Sequence, residues 1–456
     1  MLDIQSEIKG YLAERPSVGI VLGLLRNDEI TDVFSAGTTR LGTATAPDVN
    51  SVFRIASMTK SFTAAAVLLL RDQDRIRLDD PVVKYLPHVP RRDITVRDLL
   101  TMNAGFPTDD PWGDRHEPTA LTDFDAMITA GVSMIRDPRT GFEYSNLSYA
   151  LLGRIITAVT GRAYTDFVTQ ELLLPIGMTS TVYDHRVIPD QHRALGYQEL
   201  ATGFVEQPQT LPGAFSPMGG LHSSVRDLSR WVHGLMSAWH GETEHPLSVA
   251  SRREMQLPHN FARMVVRTED DGRATASSMS YGYGLIAEEH SALGRFVHHS
   301  GGYPGFGSHM RWHPETGLGV IALSNRTYAA PVAVCERVLF ERVAAATPLV
   351  PVMDRLWPAT KDAMRVAEEL LEEWNDAVAD TWFAHNMDLD VPRAERRGCV
   401  LALATSSRRE AASITSRSAA HARWTVTGER GTVVVELLMS PDPDPRIQQL
   451  TYTAGI

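Results

Sequence analysis

Apolar residues near the start of the chain fall into two short runs, at residues 17–25 and 30–37. The polar tetrapeptide 26–29 separates them, which is typical of two strands joined by a turn. Residues 57–71 show a different pattern, because positions 62–70 are apolar nearly all round a helix. This pattern predicts a helix that is buried on every side rather than amphipathic.

The middle of the chain, from residue 81 to about residue 240, is mostly helical in pattern, most clearly at residues 149–159 and 225–236. Short apolar or β-branched segments typical of strands return only late in the chain. They lie at 295–299, 308–313 and 318–324, and a closing helix is predicted at 331–346.

This order of elements predicts an α/β protein, more narrowly α+β, in which residues 1–347 form one domain. Strands from both ends join a single antiparallel sheet flanked by helices, and an all-α lobe of roughly residues 75–290 is inserted between them. The total length of 456 residues leaves room for a second, small domain at 348–456.

The second domain is expected to follow a linker at residues 348–351, whose sequence is Pro-Leu-Val-Pro. A helix is predicted at 359–374, and strands are predicted at 400–405 and 422–439. These elements give the domain a mixed or mainly β character.

The net charge of -11 and the pI of about 5.8 argue against binding to nucleic acid or to an anionic membrane. The first residues contain no apolar signal-like core, and the run at 18–25 is too short to span a bilayer. Two distant cysteines are weak evidence for a disulfide. We therefore expect a cytoplasmic protein in a reducing compartment.

Ser57-Met-Thr-Lys60 stands at the start of the predicted buried helix, where positions i and i+3 share a face. Burial disfavours an ammonium ion, so Lys60 can accept the proton of the Ser57 hydroxyl. Arginine cannot take this role, because it stays protonated. The chain contains only four lysines, Lys9, Lys60, Lys84 and Lys361.

A bare Ser-x-x-Lys motif is a weak signal, since Ser6-Glu-Ile-Lys9 matches it in a polar terminal segment. The context of Lys60 favours the second match, although a lysine at a helix start can also simply extend to solvent.

Tyr144-Ser-Asn146 precedes another predicted helix. A tyrosine beside a cationic lysine can gain phenolate character and act as a base. A packed tyrosine before a helix cap is the simpler alternative.

His299-Ser300-Gly301-Gly302 ends a predicted strand, where glycines let a substrate backbone approach. The amides of Gly302 and Ser57 could together form an oxyanion hole. A strand that merely ends in a glycine turn is the alternative. A metal site at His298, His299 and His309 is disfavoured, because adjacent strand residues point to opposite faces. No metal or other cofactor is expected.

The three motifs in this order resemble the serine hydrolases related to penicillin-binding proteins and class C β-lactamases. In this chain His299-Ser-Gly replaces the Lys-Thr-Gly of many relatives, as in the esterase and D-aminopeptidase branches. Residues 96–105 and 219–231 add to the resemblance, which covers roughly residues 10–345. It implies that Ser57 is the nucleophile, Lys60 its activator and Tyr144 the general base and acid. Asn146 and His299 would hydrogen-bond the substrate.

Other features bear on the substrate. The segment 108–115 is expected to form a loop at the mouth of the site, and Asp110, Trp112, Ser300 and Gly301 are candidate substrate-binding residues. A solvent-exposed loop is the alternative. A chain with a second, lipocalin-like domain resembles the stand-alone penicillin-binding-protein-type thioesterases, which cyclise peptides. The substrate would be a peptide, ester or thioester, free or attached to a carrier protein, with no nucleic acid or membrane partner.

Alternative functions remain open at this point. A D-stereospecific peptidase, amidase or esterase would use the same acyl-enzyme, with water in place of an amine. A sensor that is acylated once, without turnover, belongs to a different class. The absence of a Gly-x-Ser-x-Gly motif disfavours an α/β-hydrolase.

Overall fold

The computed structural model describes residues 3–241, 244–268, 272, 274–346, 352–403, 410–428 and 431–455. The chain divides into two compact units, Met1–Thr347 and Pro348–Ile456. The predicted linker at 348–351 lies outside the described residues.

The first unit contains twelve described strands and eleven described α-helices. The strands are β1 (Gly19–Arg26), β2 (Glu29–Gly37), β3 (Phe53–Arg54), β4 (Tyr197–Leu200), β5 (Gly203–Glu206), β6 (His222–Ser223), β7 (Asn260–Thr268), β8 (Ala274–Tyr281), β9 (Ile286–His290), β10 (Gly294–Tyr303), β11 (Phe306–His313) and β12 (Leu318–Ser324). The helices are α1 (Ile4–Glu14), α2 (Thr59–Asp72), α3 (Val96–Leu100), α4 (Asp110–Arg115), α5 (Leu121–Ala130), α6 (Asn146–Thr160), α7 (Tyr164–Val168), α8 (Ser216–Gly219), α9 (Val225–Met236), α10 (Val249–Met255) and α11 (Val332–Ala344).

Eight of these strands form one antiparallel sheet in the order β2-β1-β12-β11-β10-β9-β8-β7. The first and last strands of the unit, β1 and β12, are neighbours in this sheet, since Ile20 of β1 pairs with Ser324 of β12. The predicted sheet built from both ends of the unit is therefore confirmed.

The helical part between β2 and β7 ends at Met255, earlier than the predicted limit near residue 290. Residues 260–290 instead form β7, β8 and β9, which extend the sheet from β10. Polar residues alternate with apolar ones in these strands, and this weak pattern does not distinguish a sheet extension from part of a helical lobe.

Apolar residues cover both faces of the sheet. On one face α1 and α11 pack against β1 and β12 through residues such as Ile8, Leu22 and Leu339. On the other face the helical part forms a larger core around α2, in which Phe62 stacks on Trp231 at 4.1 Å between ring centroids. Helix α2 is buried from Thr59 to Leu70, as the continuous apolar run predicts.

The second unit combines helices α12 (Val352–Arg355), α13 (Pro358–Glu372), α14 (Asp376–Trp382), α15 (Met387–Asp390) and α16 (Arg393–Leu403) with strands β13 (Glu410–Thr415), β14 (His421–Gly428), β15 (Gly431–Met439) and β16 (Ile447–Ala454). The strands form an antiparallel sheet in chain order. The strand predicted at 400–405 is wrong for residues 400–403, which belong to α16, because a short apolar run suits either element. Residues 404–405 lie outside the described part.

A lipocalin contains an eight-stranded barrel, whereas the described part of the second unit provides four strands. Its lipocalin likeness stays a prediction. Among the described residues, no helix is long and apolar enough to span a membrane.

Candidate active site

Ser57 lies in a short 3-10 turn, Ala56–Met58, between β3 and α2. The predicted helix therefore begins two residues later than expected, at Thr59. Ala56 has a φ of +47°, a conformation that L-residues rarely adopt. Such strain persists only where the surrounding structure imposes it, and it is common at functional sites. The Ser57 side chain is largely buried but keeps some contact with solvent, at 9% exposure.

Strand β10 approaches Ser57 so closely that only glycine fits at one position. A Cβ atom added to Gly301 would lie 2.2 Å from the carbonyl oxygen of Ile55 and 3.1 Å from the Ala56 Cβ. The structure thus brings the His-Ser-Gly segment against the residues that precede Ser57. Strand β10 also continues to Tyr303, so His299 lies within the strand and not at its end as predicted.

Lys60 is completely buried, and its amine has three hydrogen-bond partners. Nζ donates to Ser57 Oγ at 2.9 Å, to Asn146 Oδ1 at 2.6 Å and to the carbonyl oxygen of Met218 at 2.9 Å. Burial lowers the pKa of Lys60 to about 8, although the carboxylates of Asp110, Asp114 and Asp109 act in the opposite direction. Its neutral amine is therefore accessible near neutral pH, within reach of the serine oxygen.

Asn146 is the first residue of α6, and a distant aspartate caps this helix. Asp109 accepts hydrogen bonds from the backbone amides of Asn146, at 2.6 Å, and Leu147, at 2.9 Å. Such a carboxylate both satisfies free amides and complements the helix dipole. The Asn146 side chain donates to Asp110 Oδ1 at 2.9 Å, which leaves its oxygen directed at Lys60.

Tyr144 corrects one expectation from the sequence. Burial, followed by the charge of Asp110, raises the pKa of Tyr144 well above its usual value, and a hydrogen bond with Ser57 opposes this only in part. The Lys60 amine lies over the ring, 4.9 Å from its centroid. The predicted phenolate character is therefore wrong for the resting protein: the hydroxyl is protonated, and it can donate or relay a proton.

His299 is neutral, because burial and the nearby charge of Lys60 lower its pKa to about 3. Its Nδ1 donates to the Ser300 carbonyl oxygen at 2.6 Å, and its Nε2 accepts from the Tyr281 hydroxyl at 3.2 Å. Both ring nitrogens thus have partners within the chain. A lysine at this position would place a cation on the strand, whereas this chain has an uncharged ring.

The remaining predicted site residues do not all lie beside Ser57 and Lys60. Asp110 belongs to the Lys60 group through Asn146. Trp112 stacks on His116 and meets Phe215 edge-on, and it lines a separate cavity of about 370 Å³ that does not include Ser57. The Ser300 hydroxyl is 2.9 Å from His309 Nδ1. Gly302 packs against Tyr328.

Several residues near the site were not found by sequence reasoning. Asp114 is buried, and burial raises its pKa to about 7. Arg54, three residues before Ser57, forms a fully buried ion pair with Glu117 and lies under the ring of Tyr303. No motif spacing connects these positions. The segment 108–115 was predicted as a mouth loop, which is wrong for residues 110–115 because they form α4. Its acidic residues were the one available signal for Asp109 and Asp114.

The second Ser-x-x-Lys match has a different environment. Ser6 lies in α1, where its hydroxyl donates to Asp3 at 2.6 Å. Among the described residues, no group of three or more His, Cys, Asp or Glu side chains could hold a metal ion. His298 instead faces Glu288, which also pairs with Arg311.

Replacing Asp110 tests the control of the Lys60 pKa. Asparagine keeps an oxygen that can accept from Asn146 but removes a carboxylate that raises the Lys60 pKa. If the neutral amine is the base, kcat/KM rises with pH through the Lys60 pKa, about 8 in the unaltered protein. In Asp110→Asn this rise moves to lower pH. A pH–rate profile on one ester measures it, with Asp184→Asn, a surface change, as the control. The expectation is contradicted if the rise of kcat/KM in Asp110→Asn occurs at the same pH as in the unaltered protein or at a higher pH.

Comparison with known proteins gives consistent results. The profile of the family described as Beta-lactamase matches residues 4–345. Penicillin-binding protein 4* of Bacillus subtilis (strain 168) is 30% identical over 298 residues, which is 61% of this chain and 61% of that protein. Protein flp of Staphylococcus aureus is 28% identical over 291 residues, which is 60% of this chain and 52% of that protein. The chain thus spans less than two thirds of the length of these relatives.

Two solved structures share the fold. An octameric penicillin-binding protein homologue from Pyrococcus abyssi aligns with a TM-score of 0.65 and 20% identity, over 99% of this chain and 95% of that one. A penicillin-binding protein from Bacillus halodurans aligns with a TM-score of 0.59 and 23% identity, over 73% of this chain and 98% of that one.

Proposed function

The chain belongs to the Beta-lactamase family, as its three motifs predict, and from this premise we propose that it transfers a peptide acyl group through an ester on Ser57 to an amine. The acyl donor is a linear peptide activated as a thioester, free or on a carrier protein, with a D-residue at the acyl end. Attack by the peptide's own amino terminus closes a ring. A cytoplasmic location is part of the same proposal.

One observation carries the acyl-transfer step. The Lys60 amine, whose pKa is lowered to about 8, lies 2.9 Å from Ser57 Oγ. In its neutral form this amine takes the serine proton while Oγ attacks the donor carbonyl carbon. The carbon–sulfur bond breaks, and the thiol leaves with a proton relayed through Lys60 and Tyr144. Amides of Ser57 and Gly302 would hold the carbonyl oxygen as it gains negative charge.

The second half-reaction returns the site to its starting state. An amine nitrogen attacks the ester carbonyl carbon, and its proton passes through the Tyr144 hydroxyl to the neutral Lys60 amine. Lys60 then gives a proton to Ser57 Oγ as the bond between Oγ and the carbonyl carbon breaks. Ser57 recovers its proton, and an amide is the product. An amine positioned beside the ester can have an effective concentration of about 10⁵ M or more, which lets it compete with water.

The charge of the cleft supports donors without a carboxylate beside the scissile bond. His299 is neutral, and Asp109, Asp110 and Asp114 lie near Lys60. An anionic group would gain no cation from His299 and would meet these carboxylates. Thioesters, esters and amides suit such a site better than peptides with a free carboxylate at the leaving group.

A second candidate is a D-stereospecific amidase, peptidase or esterase that hydrolyses the same acyl-enzyme. The small exposed fraction of Ser57 favours it, because water can approach the ester formed on this residue. The two candidates share every residue role up to the ester and differ only in the acceptor.

The product distinguishes the two candidates. A thioester of a linear peptide with a C-terminal D-residue is expected to give mainly cyclic product, which mass spectrometry separates from free acid by the mass of one water. The matched peptide with an L-residue is expected to react more slowly, and Ser57→Ala should give neither product. Free acid alone from several peptides, with rapid turnover of simple D-amino-acid amides, would replace the cyclase by the hydrolase.

A further inference from the structure

Tyr328 lies in the segment between β12 and α11 and has a backbone that few residues of its kind adopt. Its φ is +53°, which is unfavourable for a bulky side chain. The side chain is 43% exposed, so packing in a core does not explain the strain. A strained residue that remains accessible is a candidate for a functional role.

The Tyr328 side chain connects the sheet with the helical part of the unit. A Cβ atom added to Gly302 would lie 2.9 Å from Tyr328 Cδ1, so the ring rests against this glycine of β10. Its hydroxyl donates to Asp114 Oδ2 of α4 at 2.8 Å. The ring therefore crosses from Gly302 of β10 to the helix that also carries Asp110.

Tyr328 is not needed merely to attach α4 to the sheet. The hydroxyl of Tyr303, which is buried, already donates to the Asp114 carbonyl oxygen at 2.7 Å. Tyr303 thus joins β10 to α4 by a buried hydrogen bond, and Tyr328 adds a second hydrogen bond to α4 near the solvent. A role in contact with substrate or solvent is left for the exposed ring.

One edge of β10 is unpaired by β9 close to the Tyr328 ring. Pairing between β9 and β10 ends at His298, so from His299 onward that edge of β10 has no partner in β9. Gly301 lies against the residues before Ser57, and Gly302 follows it. The Tyr328 ring therefore lies over the face of β10 at Gly302, beside this open edge.

We propose that Tyr328, held by Asp114, is a specificity-determining residue that forms the wall of the acyl pocket beside Gly302 and restricts the access of water to the ester. This inference rests on the proposed ester at Ser57, with its carbonyl oxygen at the Gly302 amide. By shielding one side of the carbonyl, the ring lengthens the life of the acyl-enzyme and raises the share that an amine captures.

The lifetime of the acyl-enzyme tests this role directly. The protein is acylated with a short-chain p-nitrophenyl ester, and the decay of the ester is followed by mass spectrometry without any added amine. Tyr328→Ala is expected to hydrolyse its acyl-enzyme about tenfold faster, the scale of a single pocket contact. Tyr328→Phe keeps the ring and should lie between. The burst of p-nitrophenol, which reports acylation, should change little.

A matched control separates this role from general loosening. Tyr85 also donates a hydrogen bond to an aspartate, Asp80, at 2.6 Å, away from Ser57. Tyr85→Phe should leave the lifetime unchanged. An unchanged lifetime in Tyr328→Ala overturns the proposal, as does a loss of burst and lifetime together with a fall in Tm.

A second arm adds a D-amino-acid amide as acceptor and measures the ratio of amide to acid. The ratio is expected to fall in Tyr328→Ala. If the unaltered protein gives acid only, transfer to amines fails as the proposed function, and the lifetime comparison still decides the role of Tyr328.

Discussion

Ser57→Ala is expected to abolish formation of the acyl-enzyme while the protein keeps its fold. The hydroxyl removed here accepts a hydrogen bond from Lys60, and its loss removes the oxygen that would form the ester. Loss of a serine nucleophile lowers turnover by about 10⁴-fold or more. A serine-reactive phosphonate should add once to the unaltered protein and not to the variant, as read by intact-protein mass spectrometry.

The chain supplies a matched control for this experiment. Ser6→Ala removes the serine of the other Ser-x-x-Lys match, which lies in α1 and contacts Asp3. This variant should be labelled and should turn over like the unaltered protein. Labelling at Ser6, or full activity in Ser57→Ala, is incompatible with the assignment of Ser57 as nucleophile.

Lys60→Arg is expected to fail almost as completely as Lys60→Ala. The role proposed for Lys60 needs a neutral amine, and a guanidinium group does not lose its proton. Arginine would also have to fit a fully buried position with three close hydrogen-bond partners. Both variants should lose about 10³-fold or more in kcat/KM on one ester substrate, which is within the usual range for a general base.

Lys84→Arg provides the comparison, because Lys84 is half exposed and pairs with Asp80 at the surface. A surface pair contributes little and tolerates the exchange, so this variant should keep full activity. Substantial rescue by arginine at position 60 would show that Lys60 supplies charge and not proton transfer.

The parts of the site that could be predicted from the sequence are those whose geometry is local or carried by a motif. Ser57 and Lys60 share a helix face by their spacing, and the structure adds Asn146 of the second motif to the same amine. The continuous apolar run of α2 likewise predicts burial without any knowledge of its neighbours. A local pattern was sufficient for Ser57 and Lys60 because one helical turn brings positions i and i+3 together, whereas the contact of Lys60 with Asn146 joins distant segments.

What could not be predicted depends on contacts between distant segments. The charge state of Tyr144 follows from burial and from Asp110, and no property of residues 144–146 indicates this. Arg54 and Glu117 are 63 positions apart, yet they form one buried pair. The ring of Tyr328 reaches Gly302 because the segment after β12 lies against β10, where the Tyr328 amide donates to the Tyr303 carbonyl oxygen. Such contacts require the three-dimensional arrangement of the chain.

The pairing of β1 with β12 has a consequence for synthesis of the protein. Ile20 and Ser324 are neighbours in the sheet but about 300 residues apart in the chain. At elongation rates of about 5–20 residues per second, β1 waits about 15–60 s for its partner to be made. During that time β1 lacks its partner strand on one side. An unpaired strand edge is prone to association with other chains. The nascent chain is therefore expected to depend on chaperones until β12 has left the ribosome.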